Sequence, residues 1–176
     1  MRDDLIIRRE DPGDVVPTEA LHDAAFGMAQ GRRESLEREL LRGLRADGSP
    51  IEELTFVAEL EGEVVGHVVC SRATIGAADS VGLGPLAVLP AHQRQGIGAA
   101  LLMSVVASAE RLAEPALVLL GDPEYYGFFG FVPAARHGIG SPGPWSEESF
   151  QVLTLRAWRP EMAGPFRYAP AFERLG

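Results

Sequence analysis

The sequence predicts an α/β domain with a mixed β-sheet, its elements running β-α-α-β-β-β-α-β-α-β-β. Three observations carry this. Stretches with strand-like apolar character alternate with stretches of helical spacing. The run PALVLLG is apolar throughout, the mark of a strand buried on both faces and hence of a parallel pair. LTFVAEL and EVVGHVVCSRA flank Glu61-Gly62, which makes them an antiparallel hairpin. A length of 176 residues fits one domain over residues 1–176.

The elements follow in order. Leu5 to Arg9 is a short strand, and DPGD after it is turn chemistry. Thr18 to Phe26 and Glu34 to Leu44 have helical spacing, the second placing Leu36, Leu40, Leu41 and Leu44 on one face, with GMAQGRR as the loop between. ADGSP closes the helical pair before the hairpin. TIGAADS then leads into VGLGPLAVLP, where Gly84-Pro85 does not fit a regular central strand, so a bulge or a splayed strand is expected. From Gly98 to Arg111 the residues Leu101, Leu102, Val105, Val106 and Ala109 form a helical stripe, stopped by Glu114-Pro115. After PALVLLG, Asp122 caps a short helix with Pro123 at its first position, and Gly130 ends it. GFVPA and SFQVLTLRAW are the last strands. The tail from Arg159, with its three prolines, is expected to pack as irregular structure.

Composition narrows the function. Apolar residues are 46% and charged residues 23%, ordinary globular usage. No apolar run approaches the roughly 20 residues of a membrane span, and the N-terminus lacks a signal-peptide pattern, so a cytoplasmic protein with no membrane partner is expected. The single cysteine, Cys70, sits in an apolar run and is expected in the core. The net charge is −9 and all sixteen basic residues are arginine. That balance argues against nucleic acid as a partner and mildly favours a cationic substrate. His22, His92 and His137 lack metal-ligand spacing, so no metal is expected.

The chemistry concentrates in Gln93-Arg94-Gln95-Gly96-Ile97-Gly98, where a strand empties through two glycines into a helix. Backbone N–H groups from Arg94 to Ala99, with the positive end of a helix dipole, suit an anion. A dinucleotide fingerprint is weak here, because Leu101 stands where a third glycine is needed. A Walker A loop is excluded in a chain without lysine. A pyrophosphate held without a metal remains.

This segment resembles the Q/R-x-x-G-x-G/A signature of the GNAT N-acetyltransferases, and LAVLP before it is similar to many members. GDPEYYGFFGF and GPFRYAPAF resemble a subgroup of small, largely uncharacterised bacterial acetyltransferases. The resemblance implies a strongly twisted sheet of about seven strands with helices on both faces. It implies acetyl-CoA as acetyl donor, with the pyrophosphate on Gln93, Arg94, Gln95, Gly96, Ile97, Gly98 and Ala99 and the pantetheine arm along Leu86, Ala87 and Val88. It further implies direct transfer to a small-molecule or peptide amine by a monomer or homodimer.

Such a transfer needs a neutral amine, a stabilised oxyanion and a proton for the leaving thiolate. Tyr126, four residues before the glycine of Gly130-Phe131, matches the family's general acid, and Tyr125 reads as structural. The resemblance puts the oxyanion on a backbone N–H, that of Val88. The family's usual asparagine before the tyrosine is missing; Asp122 caps the helix instead. Glu59 and His67 are candidate bases, alongside a water relay. Trp145, Trp158, Phe166, Tyr168 and Phe172 line an acceptor pocket or close the core. A non-catalytic acyl-CoA sensor or interaction domain is the alternative, as is transfer of a longer acyl group.

Overall fold

The computed structural model describes residues 4–28 and 30–175. Its main path of strands is β1 (Leu5–Arg9), β2 (Phe56–Leu60), β3 (Glu63–Ile75), β4 (Ala78–Val88), β5 (Ala116–Leu120), β8 (Phe150–Thr154) and β6 (Val132–Pro133), in that spatial order. All pairs on this path are antiparallel except β4 with β5, which is parallel, as the apolar run PALVLLG predicts. Glu61 (φ 51°) and Gly62 (φ 83°) turn the β2–β3 hairpin with the two positive φ angles that a tight two-residue turn requires.

Among the described residues there are nine strands, more than the expected seven or so, because of two short additions, β7 (Ile139–Gly140) and β9 (Gly164–Arg167). The proline-rich tail is therefore less irregular than its composition predicts. β3 is 13 residues long and outruns the five-residue β2, so its free edge is available, and β9 takes it through Thr74↔Arg167 and Ile75↔Phe166. Phe166 turns into the core and a last helical turn, α5 (Pro170–Glu173), follows.

Helix boundaries follow their caps. α1 (Val15–Phe26) begins three residues before the periodic stretch, while α2 (Leu36–Asp47) starts after Ser35, whose hydroxyl accepts from the Arg38 N–H at 3.0 Å. Left-handed Gly48 ends α2. α3 (Ile97–Arg111) lies on one face of the sheet, its Leu101, Leu102 and Val105 packed with Val68, Leu83, Leu117 and Leu119. Each such fully buried aliphatic stabilises the fold by about 1.5–3 kcal/mol. Gly66 of β3 allows this approach, because a Cβ there would lie 3.0 Å from both Ile97 and Leu101. On the opposite face Leu40, Leu41 and Leu44 of α2 meet Val69, Ala169 and Ala171, and Phe150, Val152 and Phe166 meet Ala73 and Val118. Adjacent residues of β5 thus face different layers.

Candidate active site

β4 carries a bulge where Gly84-Pro85 predicts one: Val68 pairs with Leu86 and Cys70 with Leu83, so one β3 residue faces two of β4. β4 and β5 pair only at Val81↔Leu117 and Gly82↔Val118. Beyond Gly82, β4 runs on to Val88 without a β5 partner, and the two strands part. The hydrogen bond from Leu89 N–H to Val65 C=O, 2.9 Å, fixes the alternation on the other side. Ala87 exchanges backbone bonds with His67, whereas the backbone groups of Leu86 and Val88 point into the space β5 has left. Of the three, only Leu86 and Val88 offer main-chain partners there; Ala87 contributes wall.

The chain then makes a short 3-10 turn at Pro90–His92 and enters α3 through Arg94 (φ 56°) and Gly96 (φ 85°). Gly96 is the N-cap, left-handed and with nothing within 4 Å of where a Cβ would stand. The Ala100 N–H makes the first helical bond, to Gly96 C=O at 3.0 Å, so the N–H groups of Ile97, Gly98 and Ala99 have no acceptor within the helix. The Gln93 amide donates to Val88 C=O at 3.0 Å and the Gln95 amide to Ala91 C=O at 3.1 Å, holding the loop. Gln93 also leaves the Val88 N–H as that residue's free group.

A cavity of about 300 Å³ fills this corner. Leu86, Ala87, Val88, Gln93, Arg94, Gly96, Gly98 and Ala99 line it. Gln95 and Ile97 do not: Gln95 bonds outward, and the Ile97 side chain is buried in the core beneath α3. The end of α1, at Ala25 and Phe26, and His92 complete the wall, and no sequence motif marks them. Unpaired N–H groups at a glycine-lined helix start fit a pyrophosphate, and the open β4 edge fits an amide-bearing arm.

The short helix α4 (Pro123–Gly127) is capped by Asp122, which accepts from the Glu124 N–H at 2.9 Å. Its two tyrosines point differently. Tyr125 lines the cavity, and a Cβ on Gly98 would come within 2.9 Å of its hydroxyl, so the reading of Tyr125 as merely structural does not hold. Tyr126 lies against Gly121 at the end of β5 and packs edge-on to Phe131, ring centres 5.7 Å apart. Burial, and secondarily Tyr125, pushes the Tyr126 phenol up to about 12. Among the described residues neither hydroxyl has a hydrogen-bond partner.

Neither candidate base lines the cavity. The Glu59 carboxylate accepts from Arg8 Nε at 3.0 Å, and the same guanidinium bonds Asp14 at 2.7 and 2.9 Å. His67 is fully buried on the face toward α1; its Nδ1 lies 2.9 Å from His22 Nε2, and its Nε2 lies 3.3 Å from Glu10, which also pairs with Arg45. Burial, and then the neighbouring His67 and Arg45, push His22 down to about 3; burial also lowers His67 against the pull of Glu10. Cys70 is buried, and desolvation raises its thiol well above the usual range. Among the described residues no three His, Cys, Asp or Glu side chains converge as a metal site, and no helix is long and apolar enough to cross a membrane.

Residues 19–124 match the family model of the acetyltransferase (GNAT) family. The uncharacterized N-acetyltransferase YhbS of Escherichia coli is 33% identical over 86% of this chain and 87% of its own. The crystal structure of Escherichia coli YhbS in complex with CoA superposes with a TM-score of 0.84, 31% identity, and coverage of 98% of this chain and 93% of that one. A GNAT family acetyltransferase from Brucella melitensis, solved with acetyl-CoA, gives a TM-score of 0.76 at 33% identity over 96% of this chain and 97% of that one. By sequence and by fold, this chain belongs to the GNAT acetyltransferase family.

Proposed function

We propose that this chain moves the acetyl group of acetyl-CoA directly onto an amine, without a covalent enzyme intermediate, in the cavity where β4 leaves β5. One observation carries the reading: the stretch of β4 that has left β5, Leu86 to Val88, and the unpaired N-terminus of a 15-residue helix wall the same cavity. The E. coli and Brucella relatives were solved with CoA and acetyl-CoA, and the cavity offers the groups such a molecule needs. Acetyl-CoA supplies an acyl group already activated as a thioester.

The chain's own residues do the rest. Backbone N–H groups between Arg94 and Ala99 receive the pyrophosphate, each charge-assisted bond contributing about 1.5–3 kcal/mol. The free Val88 N–H donates to an amide oxygen of the pantetheine arm, and the Leu86 N–H, two residues further from the pyrophosphate along β4, donates to the thioester oxygen as negative charge develops there, so the oxyanion falls to Leu86 and not to Val88. The amine nitrogen forms the C–N bond as the C–S bond breaks, and a tyrosine of α4 donates a proton to the departing sulfur. Spacing to Gly130-Phe131 selects Tyr126, whose raised pKa keeps its proton in place. The cavity wall supports a second reading, in which Tyr125 donates. With Glu59 and His67 engaged elsewhere, the surplus proton of the amine goes to water. A single buried thiol supports action in the reducing cytoplasm.

A thiol-release assay with acetyl-CoA and a panel of amines and peptides tests the reading. Free thiol appearing in proportion to the amine is the expected result. Saturable acetyl-CoA binding with no thiol from any acceptor would leave a binding domain in place of an enzyme.

A further inference from the structure

A second cavity, of about 480 Å³, lies in the C-terminal part of the molecule and shares no residue with the first. Trp145, Tyr168, Phe172 and Leu175 line it, together with Arg167 and Glu173. Its position relative to the parted strands follows from two contacts. The Tyr168 ring packs 3.3 Å from the Cβ position of Gly82, the last β4 residue paired to β5. Gly82 faces away from the α3 layer, because its neighbours Val81 and Leu83 pack into that layer. Trp145 leans on Phe150, ring centres 6.1 Å apart, and Phe150 pairs with Leu120, the last residue of β5. The aromatic walls therefore flank the opening of the strand gap on the sheet face opposite α3, whereas the first cavity sits at the α3 N-terminus.

The lining also constrains what enters. Tyr168 stacks on Phe172 at 4.1 Å with a 19° interplanar angle and meets Trp145 edge-on at 6.1 Å, so three rings surround one space. Such a wall favours a flat apolar body and attracts an ammonium group to the ring faces. Glu173 and Arg167 are exposed, and among the described residues neither makes an ion pair; the adjacent Arg174 is committed to Asp47 at 2.8 Å. One carboxylate and one guanidinium cancel, so a polyamine finds no net negative charge to bind. The volume lies within the range of small-molecule sites.

We propose that this cavity is the acceptor site and that it takes a primary arylalkylamine, one aromatic ring on a short amine-bearing chain, in preference to polyamines or lysine-containing peptides. The inference rests on the acetyl-transfer reading for its chemistry. The reaction balances without a further reagent: acetyl-CoA and the amine give the N-acetyl amine and free CoA thiol.

The test uses the full chain saturated with CoA, with 2-phenylethylamine and spermidine as probes. Calorimetry is expected to show saturable binding of 2-phenylethylamine, at least tenfold tighter than spermidine, and Trp145→Ala is expected to weaken it about tenfold with CoA affinity unchanged. Trp145→Phe, which keeps a ring, restores most of the binding and guards against a folding defect. With acetyl-CoA in place of CoA, Trp145→Ala raises the KM for the amine and leaves that for acetyl-CoA within twofold. Undetectable binding of 2-phenylethylamine, binding unaffected by Trp145→Ala, or a preference for spermidine overturns the proposal. Trp145-dependent binding without thiol release upholds the amine site and overturns acetyl transfer.

Discussion

The buried histidine pair predicts a steep loss of stability in mild acid. His22 is pushed down to about 3 in the folded chain and His67 is lowered as well, so both are neutral at pH 7. In the unfolded chain each titrates at about 6.5. A histidine whose folded pKa lies below its unfolded value contributes stability above the unfolded value. It loses that contribution as pH falls toward the folded one, because the unfolded chain binds the proton first. For His22 alone, going from pH 7 to pH 5 removes about 2 kcal/mol, and the two further units down to pH 3 together remove about 2 kcal/mol more. His67 adds to the loss with the same sign.

The charged neighbours reinforce the effect only at lower pH. Glu10, against the cost of its burial, is held below the usual carboxylate range by His67 and Arg45, and Asp14 by Arg8. Their contributions vanish as pH falls below the ordinary carboxylate range, outside the pH 7 to 5 window. Urea unfolding followed by fluorescence at pH 7, 6 and 5, at fixed ionic strength, reads the slope. His22→Gln can hydrogen-bond His67 Nδ1 through either atom of its amide and cannot titrate, so about 2 kcal/mol of the pH dependence should disappear with it. A wild-type unfolding free energy that is flat from pH 7 to 5, or an unchanged slope in His22→Gln, refutes the neutral buried pair.

Three further outcomes follow from the cavity at α3. Gly96→Asp meets no protein atom but must adopt a left-handed conformation, which costs about 1–2 kcal/mol, and it sets a carboxylate beside the pyrophosphate. Acetyl-CoA affinity by calorimetry should fall at least 100-fold while the chain remains folded; unchanged affinity would move the pyrophosphate elsewhere. Tyr126→Phe should lower kcat about 100-fold with little change in the KM for acetyl-CoA, whereas Tyr125→Phe should act mainly on that KM. The reverse pattern assigns the proton to Tyr125. Gly66→Ala drives a methyl to 3.0 Å from Ile97 and Leu101, so it should destabilise the fold by about 1–3 kcal/mol and weaken acetyl-CoA binding through the displaced start of α3. Unaltered unfolding and binding in that variant would mean that α3 is less tightly seated than the packing indicates.

The long elements were legible because they carry either a regular apolar period or an unbroken apolar run. The α3 stripe, the β2–β3 hairpin and the doubly buried β5 all follow from spacing and turn residues. β7 and β9 were not, since two to four residues carry no period and β9 includes Pro165, a poor strand former. β9 exists because the longer β3 leaves an edge beside β2, a matter of relative strand length that no local window contains. The two halves of the site differ in the same way. The anion cradle is continuous in sequence, so QRQGIG announces it, while Phe26 reaches the cavity only through the docking of α1.

Adjacent tyrosines mark the limit of spacing as a guide. Successive residues on a helix differ by about 100° around its axis, so Tyr125 and Tyr126 cannot both present their rings to one wall. Which one faces the cavity is set by how α4 is rotated, and Gly121, Phe131 and Gly98 determine that rotation: Tyr126 folds over Gly121 and against Phe131, and Tyr125 meets the bare backbone of Gly98. The glycine that resembles part of a phosphate-binding motif therefore has a second task. It makes room for a hydroxyl as well as for an anion, which joins α3 and α4 at the cavity wall. β5 completes the arrangement by stopping at Leu120, so that Gly121-Asp122-Pro123 diverts the chain into α4 just where β4 continues to Val88. The strand pair opens after Gly82↔Val118, at the Gly84-Pro85 bulge, while β5 still runs on through Leu119 and Leu120, and the tyrosines arrive beside the opening because β5 then ends in a helix cap.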